Sequence, residues 1–191
     1  PWACPPNPTR PDFSHPCQAM ADVMMIEEEF ETLKGKTLAY IGDGNNVARS
    51  LAEACAKFEM KFAIATPKGY ELPASDFDRI KKKEKSFDAL ATNDPAKAVR
   101  RADVLYTDTW ISMGQEDEKQ KRIADFKGFA IDESLIKKAP KSAIILHCLP
   151  AYRGYEISAG VMEHARSRVF EQAANRLHAQ KGLMAILMGE M

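Results

Sequence analysis

Val104-Leu105-Tyr106-Thr107-Asp108-Thr109-Trp110-Ile111-Ser112-Met113-Gly114 decides the reading of the fold: an apolar run stops in a carboxylate, hydroxyls, a thioether and a glycine. Apolar segments that end in polar groups are where α/β sheets place their chemistry. Ala143 to Leu146 ends the same way in His147-Cys148-Leu149-Pro150, and Thr37 to Ile41 ends in Gly42-Asp43-Gly44-Asn45-Asn46. Three strand ends therefore converge on one site.

Outward from these runs the chain alternates. Strands are predicted at 37–41, 61–65, 87–91, 103–107 and 143–146, and helices at 46–57, 74–84, 94–101 and 116–125. Such alternation predicts an α/β fold: a doubly wound, Rossmann-like parallel sheet of about five strands in a three-layer αβα arrangement. The simple order 3-2-1-4-5 puts strands 1 and 4 beside the switch point, where ligands bind. Short helices are expected at 131–139 and 157–165. Helices also flank the sheet. Ala19, Val23, Ile26, Phe30 and Leu33 mark one over 15–33 that ends at Lys34-Gly35, and another runs from Gln172 to Met188 with Leu177, Leu183, Ile186 and Leu187 as its apolar side. The expected organisation is an irregular proline-rich lead-in (1–11), a linking helix (12–34), an α/β domain (35–170) and a C-terminal helix (171–191).

With 191 residues and 45% hydrophobic content the chain can bury a sizeable core. Lys+Arg and Asp+Glu both number 27, a balance that calls for neither nucleic acid nor an anionic membrane and leaves a small molecule as the expected ligand. Cys4, Cys17, Cys55 and Cys148 lie far apart, without zinc or disulfide spacing, and read as reduced thiols of a cytoplasmic protein. No apolar stretch is long enough to span a bilayer as a helix, and the start carries no export signal. Because the first residue is proline, the chain reads as processed or as cut from something longer.

The Gly42 to Asn46 turn has two glycines of a dinucleotide fingerprint. Its third glycine position is Val47, however, and the second strand runs into Thr66-Pro67 with no acidic residue, so NAD is not expected. What remains is a turn with two side-chain amides at a helix N-terminus, suited to a carboxylate, or else a plain capping loop. Asp108 with a nearby hydroxyl suits an ammonium group. Cys148 can be read as a small buried apolar residue or as a site residue, and Leu149-Pro150 is a candidate cis bond.

His15-Pro16-Cys17-Gln18, Gly42 to Asn46, Thr107 to Gly114, His147 to Pro150 and Asn175-Arg176 resemble, in order and spacing, the ornithine carbamoyltransferase family, with matches from about Asp12 to near the C-terminus. The resemblance implies transfer of a carbamoyl group from carbamoyl phosphate to the δ-amine of ornithine, giving citrulline, with no metal or organic cofactor. It implies that His15 and Gln18 touch the carbamoyl carbonyl, Asn46 the ornithine carboxylate, and Asp108 with Ser112 the α-ammonium. Cys148 and Leu149 would line the reacting centre, Arg176 would help hold the carbamoyl oxygen, and the Ser112-Met113-Gly114 loop would close over ornithine. Members of the family are homotrimers.

The chain also departs from the family pattern. No Ser-x-Arg-Thr-Arg phosphate-binding motif is found; Pro8-Thr9-Arg10 only shares some letters with it, and Ala174 stands where glutamate is usual. Most of a carbamoyl phosphate domain is thus expected to be missing, with activity of the isolated chain impaired. A carbamoyltransferase for another amine, and a non-catalytic remnant that binds an amino acid or a partner chain, stay open as alternatives.

Overall fold

A computed structural model describes residues 13–111 and 116–189. The lead-in (1–11) with Pro8-Thr9-Arg10, Asp12, and the loop residues Ser112, Met113 and Gly114 lie outside the described residues.

The chain enters through helix α1 (Pro16–Phe30) and then alternates: β1 (Thr37–Ile41), α2 (Asn46–Lys57), β2 (Lys61–Ala65), α3 (Ala74–Lys83), β3 (Ala89–Thr92), α4 (Pro95–Val99), β4 (Val104–Thr107). A short 3-10 turn, Glu116–Glu118, leads into α5 (Lys119–Asp125). α6 (Glu133–Ile136), β5 (Ile144–His147), α7 (Ala159–Met162) and the long α8 (Val169–Met188) complete it. All strand pairs are parallel and the order is β3-β2-β1-β4-β5, as expected.

Side chains alternate across the pleat, so each face of the sheet has its own core. Leu38, Tyr40, Phe62, Ile64, Tyr106 and Leu146 pack with α1 and α2 on one face, and Ala39, Ala63, Leu105 and Ile145 pack with α4, α6 and α7 on the other. Small alanines on that second face let the short α4 lie close. Register then aligns the strand ends: Ile41 pairs with Thr107, and Thr107 with His147. The loops after β1, β4 and β5 emerge side by side.

Element ends differ from the sequence reading where a turn or cap intervenes. β3 starts at Ala89 because the Phe87 N–H turns back to the Glu84 carbonyl, and β5 starts at Ile144 because the Ala143 N–H bonds Pro140. His147 therefore belongs to the strand. α1 stops at Phe30, closed by Glu31 in the left-handed region, ahead of Lys34-Gly35. The two expected short helices shrink to single turns capped by Asp132 and Ser158, since Ile131 and Ile157 bridge each other instead. α8 begins at Val169 and buries Val169, Gln172 and Asn175, whereas Leu177, Ile186 and Leu187 are exposed. The face of α8 that packs on α1 is thus set by its first half, and the expected apolar side is not its core side. No helix among the described residues is long and apolar enough to cross a membrane.

Candidate functional site

The site forms where the loops after β1, β4 and β5 meet the first turn of α1 and the middle of α8. Asn45 is the N-cap of α2: its Oδ1 accepts the N–H groups of Val47 (3.0 Å) and Ala48 (3.1 Å), and the Tyr40 hydroxyl (3.3 Å). Its Nδ2 donates to Asp108 Oδ2 at 2.8 Å. One of the two amides expected to be open for a carboxylate is thus committed to capping and to Asp108. Asn46 is the first residue of α2, where the positive end of the helix dipole favours an anion. Its Oδ1 accepts the Val47 N–H.

Asp108 follows β4 and is only 7% exposed. Besides Asn45 it accepts the Thr109 N–H (2.7 Å) and the Cys148 thiol (2.9 Å) on Oδ1. Burial and the neighbouring Asp108 charge push the Cys148 thiol well above its ordinary range. Cys148 is therefore a protonated donor to Asp108 and not a base.

At the end of β5, His147 Nδ1 accepts the Leu149 N–H (2.9 Å), which leaves the proton on Nε2 to reach Glu156 Oε1 (3.1 Å). Glu156 also takes the Tyr152 N–H (2.5 Å), so the turn carrying Cys148 and Leu149 is fastened from beneath. Leu149-Pro150 is cis, the isomer foreseen as a candidate from the sequence.

His15 caps α1 and anchors to α2 through its N–H on Ser50 Oγ (2.7 Å). Burial, then the Arg176 charge, lower its imidazole below the ordinary value of 6.5, so it is neutral at pH 7 and can donate a hydrogen bond without carrying charge. Gln18, one turn on, is 1% exposed and accepts Arg176 Nη1 of α8 on its Oε1. Residues 158 apart in the chain are brought together by the packing of α1 on α8.

The structure thus joins Gln18 to Arg176 and Cys148 to Asp108, with His15 close enough to feel the charges of Arg176 and Asp108; Asn46 and Leu149 stand on the loops after β1 and β5, and Ser112 and Met113 fall outside the described residues. Several groups escaped the sequence reading. Asp22 lies under Gln18 at the i+4 position, and Arg122 forms an ion pair with Asp43 while its Nε donates to the Trp110 carbonyl, tying the β1 loop to the β4 loop. The one available signal was a carboxylate on the apolar face of α1. Among the described residues, no group of three or more His, Cys, Asp or Glu is placed to hold a metal ion.

Asn45→Ala removes the cap of α2 and one ligand of Asp108. A loss of about 1–2 kcal/mol in urea unfolding is expected, together with weaker binding of an amine at Asp108. An unchanged unfolding midpoint would remove Asn45 from this role.

Residues 34–187 match the family described as aspartate/ornithine carbamoyltransferase, Asp/Orn binding domain. The chain is 48% identical over 178 residues to an ornithine carbamoyltransferase of Caldicellulosiruptor saccharolyticus, a match covering 92% of this chain and 58% of that protein. It is 51% identical over 178 residues to an ornithine carbamoyltransferase of Prochlorococcus marinus strain MIT 9312, covering 93% and 58%. Among solved structures, ornithine carbamoyltransferase from Pyrococcus furiosus superposes with a TM-score of 0.88 at 45% identity, covering 94% of this chain and 58% of that one. The enzyme from Gloeobacter violaceus gives 0.84 at 44% identity, covering 93% and 60%. The chain therefore spans less than two thirds of the length of these relatives.

Proposed function

The chain belongs to the aspartate/ornithine carbamoyltransferase family, and we propose that it supplies the acceptor site of an ornithine carbamoyltransferase, which moves a carbamoyl group from carbamoyl phosphate to the δ-amine of L-ornithine. One observation carries this reading. Asp108 is buried, ringed by three neutral donors, and has no basic side chain within ion-pair distance among the described residues. A buried carboxylate satisfied only by neutral groups has room for one cationic partner, and an α-ammonium is such a group.

Around that anchor, the N-terminus of α2 at Asn46 receives the ornithine carboxylate; Ser112 and Met113, which the resemblance adds to the acceptor site, lie outside the described residues. The δ-amine then lies between Cys148, Leu149 and the carbamoyl group. As a neutral thiol, Cys148 positions and donates. Neutral His15, with Arg176, stabilises the oxyanion that develops when the amine attacks the carbonyl carbon. Only the unprotonated amine can attack, so its proton must leave through the site. The phosphate is assigned to the length of the relatives that this chain does not match. The free thiols Cys17, Cys55 and Cys148 fit a cytoplasmic setting.

Calorimetry of the 191-residue chain with L-ornithine, putrescine and N-acetylornithine tests the reading. Ornithine is expected to bind, and N-acetylornithine, which lacks the α-ammonium, to bind about 10-fold or more weakly, a preference that Asp108→Asn erases. Equal affinity for all three amines would sink the proposal. Citrulline formation that is lost in Cys148→Ala would extend the function from acceptor binding to turnover.

A further inference from the structure

We propose that Asp22 is the positioning residue for the carbamoyl end of this site: its buried carboxylate forces Gln18 to turn its carbonyl oxygen, not its amide nitrogen, toward Arg176. The identity of the ligand rests on the reading above; the orientation of Gln18 does not.

Asp22 is fully buried on α1, inside the apolar cluster between the sheet, α1 and α2. Its Oδ1 accepts Gln18 Nε2 at 2.7 Å and Gln172 Nε2 at 2.6 Å, and its Oδ2 accepts the Tyr106 hydroxyl at 3.0 Å. An ionised carboxylate has no proton to offer, so both glutamines must present their nitrogens to it. Their oxygens are then committed to the opposite side. Gln172 Oε1 takes the His147 N–H at the end of β5 (2.9 Å), and Gln18 Oε1 takes Arg176. One carboxylate thereby sets two amides and links α1, β4, β5 and α8. A Gln18 held this way meets the carbamoyl group as an acceptor of its N–H, leaving the carbonyl oxygen to His15 and Arg176.

A plain structural hub would be served by a neutral side chain, because burying an unpaired carboxylate is costly. An asparagine or a protonated carboxyl at this place has a hydrogen of its own, which a flipped Gln18 could accept. The constraint is strict only while both oxygens of Asp22 are acceptors, that is, while it is ionised. The charged and titratable groups facing it are Arg176 from α8, Tyr106 from β4, Cys55 from α2 and Cys148 after β5. Burial pushes Tyr106, Cys55 and Cys148 up, so they stay neutral, and His15 beside Arg176 is held low. His147 contributes only its backbone N–H. Burial raises Asp22 itself to about 7, against the pull of Gln18, Gln172, Tyr106 and Arg176.

The test follows the Gln18 and Gln172 side-chain amide signals of the nitrogen-15-labelled 191-residue chain by NMR, from about pH 5.5 to about pH 8.5. Both are expected to titrate together with a midpoint near 7, and to lose that titration in Asp22→Asn. The wild-type titration needs no variant, so a poorly folding Asp22→Asn does not weaken it. In parallel, calorimetry compares citrulline, which carries a carbamoyl amide, with ornithine, which does not. Citrulline affinity should rise about 5-fold or more as Asp22 ionises and become flat with pH in Asp22→Asn, with ornithine affinity unchanged. Amide signals indifferent to pH and to Asp22→Asn overturn the proposal. So do equal losses for citrulline and ornithine, which mark a merely structural carboxylate. Titrating signals in a chain that binds neither ligand uphold the orienting role and overturn the carbamoyl-transfer reading instead.

Discussion

Gly44→Ala is expected to destabilise the protein by about 3 kcal/mol or more, because the added methyl has no space that a side chain could vacate. A Cβ at Gly44 would stand 2.4 Å from Leu72 N, 2.6 Å from Glu71 C and 2.7 Å from Tyr70 O. All three are backbone atoms. The Gly44 N–H donates to Tyr70 O at 2.8 Å, so the loop after β1 is stitched directly onto the loop after β2. Relief requires the two loops to part, which breaks that bond and pulls Asn45 away from Asp108. Stability and amine binding should therefore fall together. Urea unfolding of Gly44→Ala within about 0.5 kcal/mol of wild type would show that the loops separate at little cost.

A second large effect concerns pH. The folded value of about 7 for Asp22 lies above its ordinary 3.8, so the native state holds this proton more tightly than the unfolded chain does. Stability must then fall as pH rises between those two values, and the cost is fully present above pH 7. The gap corresponds to roughly 4 kcal/mol, of which roughly 2 falls between pH 5.5 and pH 8. The exposed Asp125, held low by Lys121 and Tyr70, is already ionised in that window and drops out of the comparison. Asp22→Asn removes this titration and leaves the others, among them His15, whose lowered value makes stability rise with pH near 6.5 in both proteins. The unfolding free energy of the wild type should therefore fall relative to that of the variant by roughly 2 kcal/mol across the window. Parallel curves for the two proteins would show that Asp22 is ionised without penalty. A costly ionised carboxylate kept beside the candidate site is the pattern expected when stability is exchanged for a positioned group.

The same residue marks where sequence reading stopped. Asp22 is four positions from Gln18 on a helix read by its apolar spacing, and a carboxylate on that face looks like an interruption of the pattern. Its meaning depends on Tyr106 and Gln172, 84 and 150 residues away. Arg122 and Asp43 pair across 79 residues for the same reason, and neither neighbourhood announces it. Asp108 and Cys148, by contrast, stand out in the sequence because each lies where an apolar run ends, and the structure joins them by a hydrogen bond. The short helices were overcalled because Ile131 and Ile157 satisfy a helical apolar period and a strand bridge equally well.

By itself the sequence determined the order of strands and helices, the parallel sheet and the three loops that carry polar groups. Those features follow from periods of 2 and 3.6 residues, which backbone hydrogen bonding imposes over a few neighbours and which any window of the chain displays. Only the tertiary structure decided that Cys148 is a thiol donating to Asp108, that His15 is neutral, that Asn45 is spent as a cap and that Asp22 commands two glutamines. Protonation and hydrogen-bond direction are set by desolvation and by charges a few ångströms away, and those distances exist only after α1, the sheet and α8 have packed together.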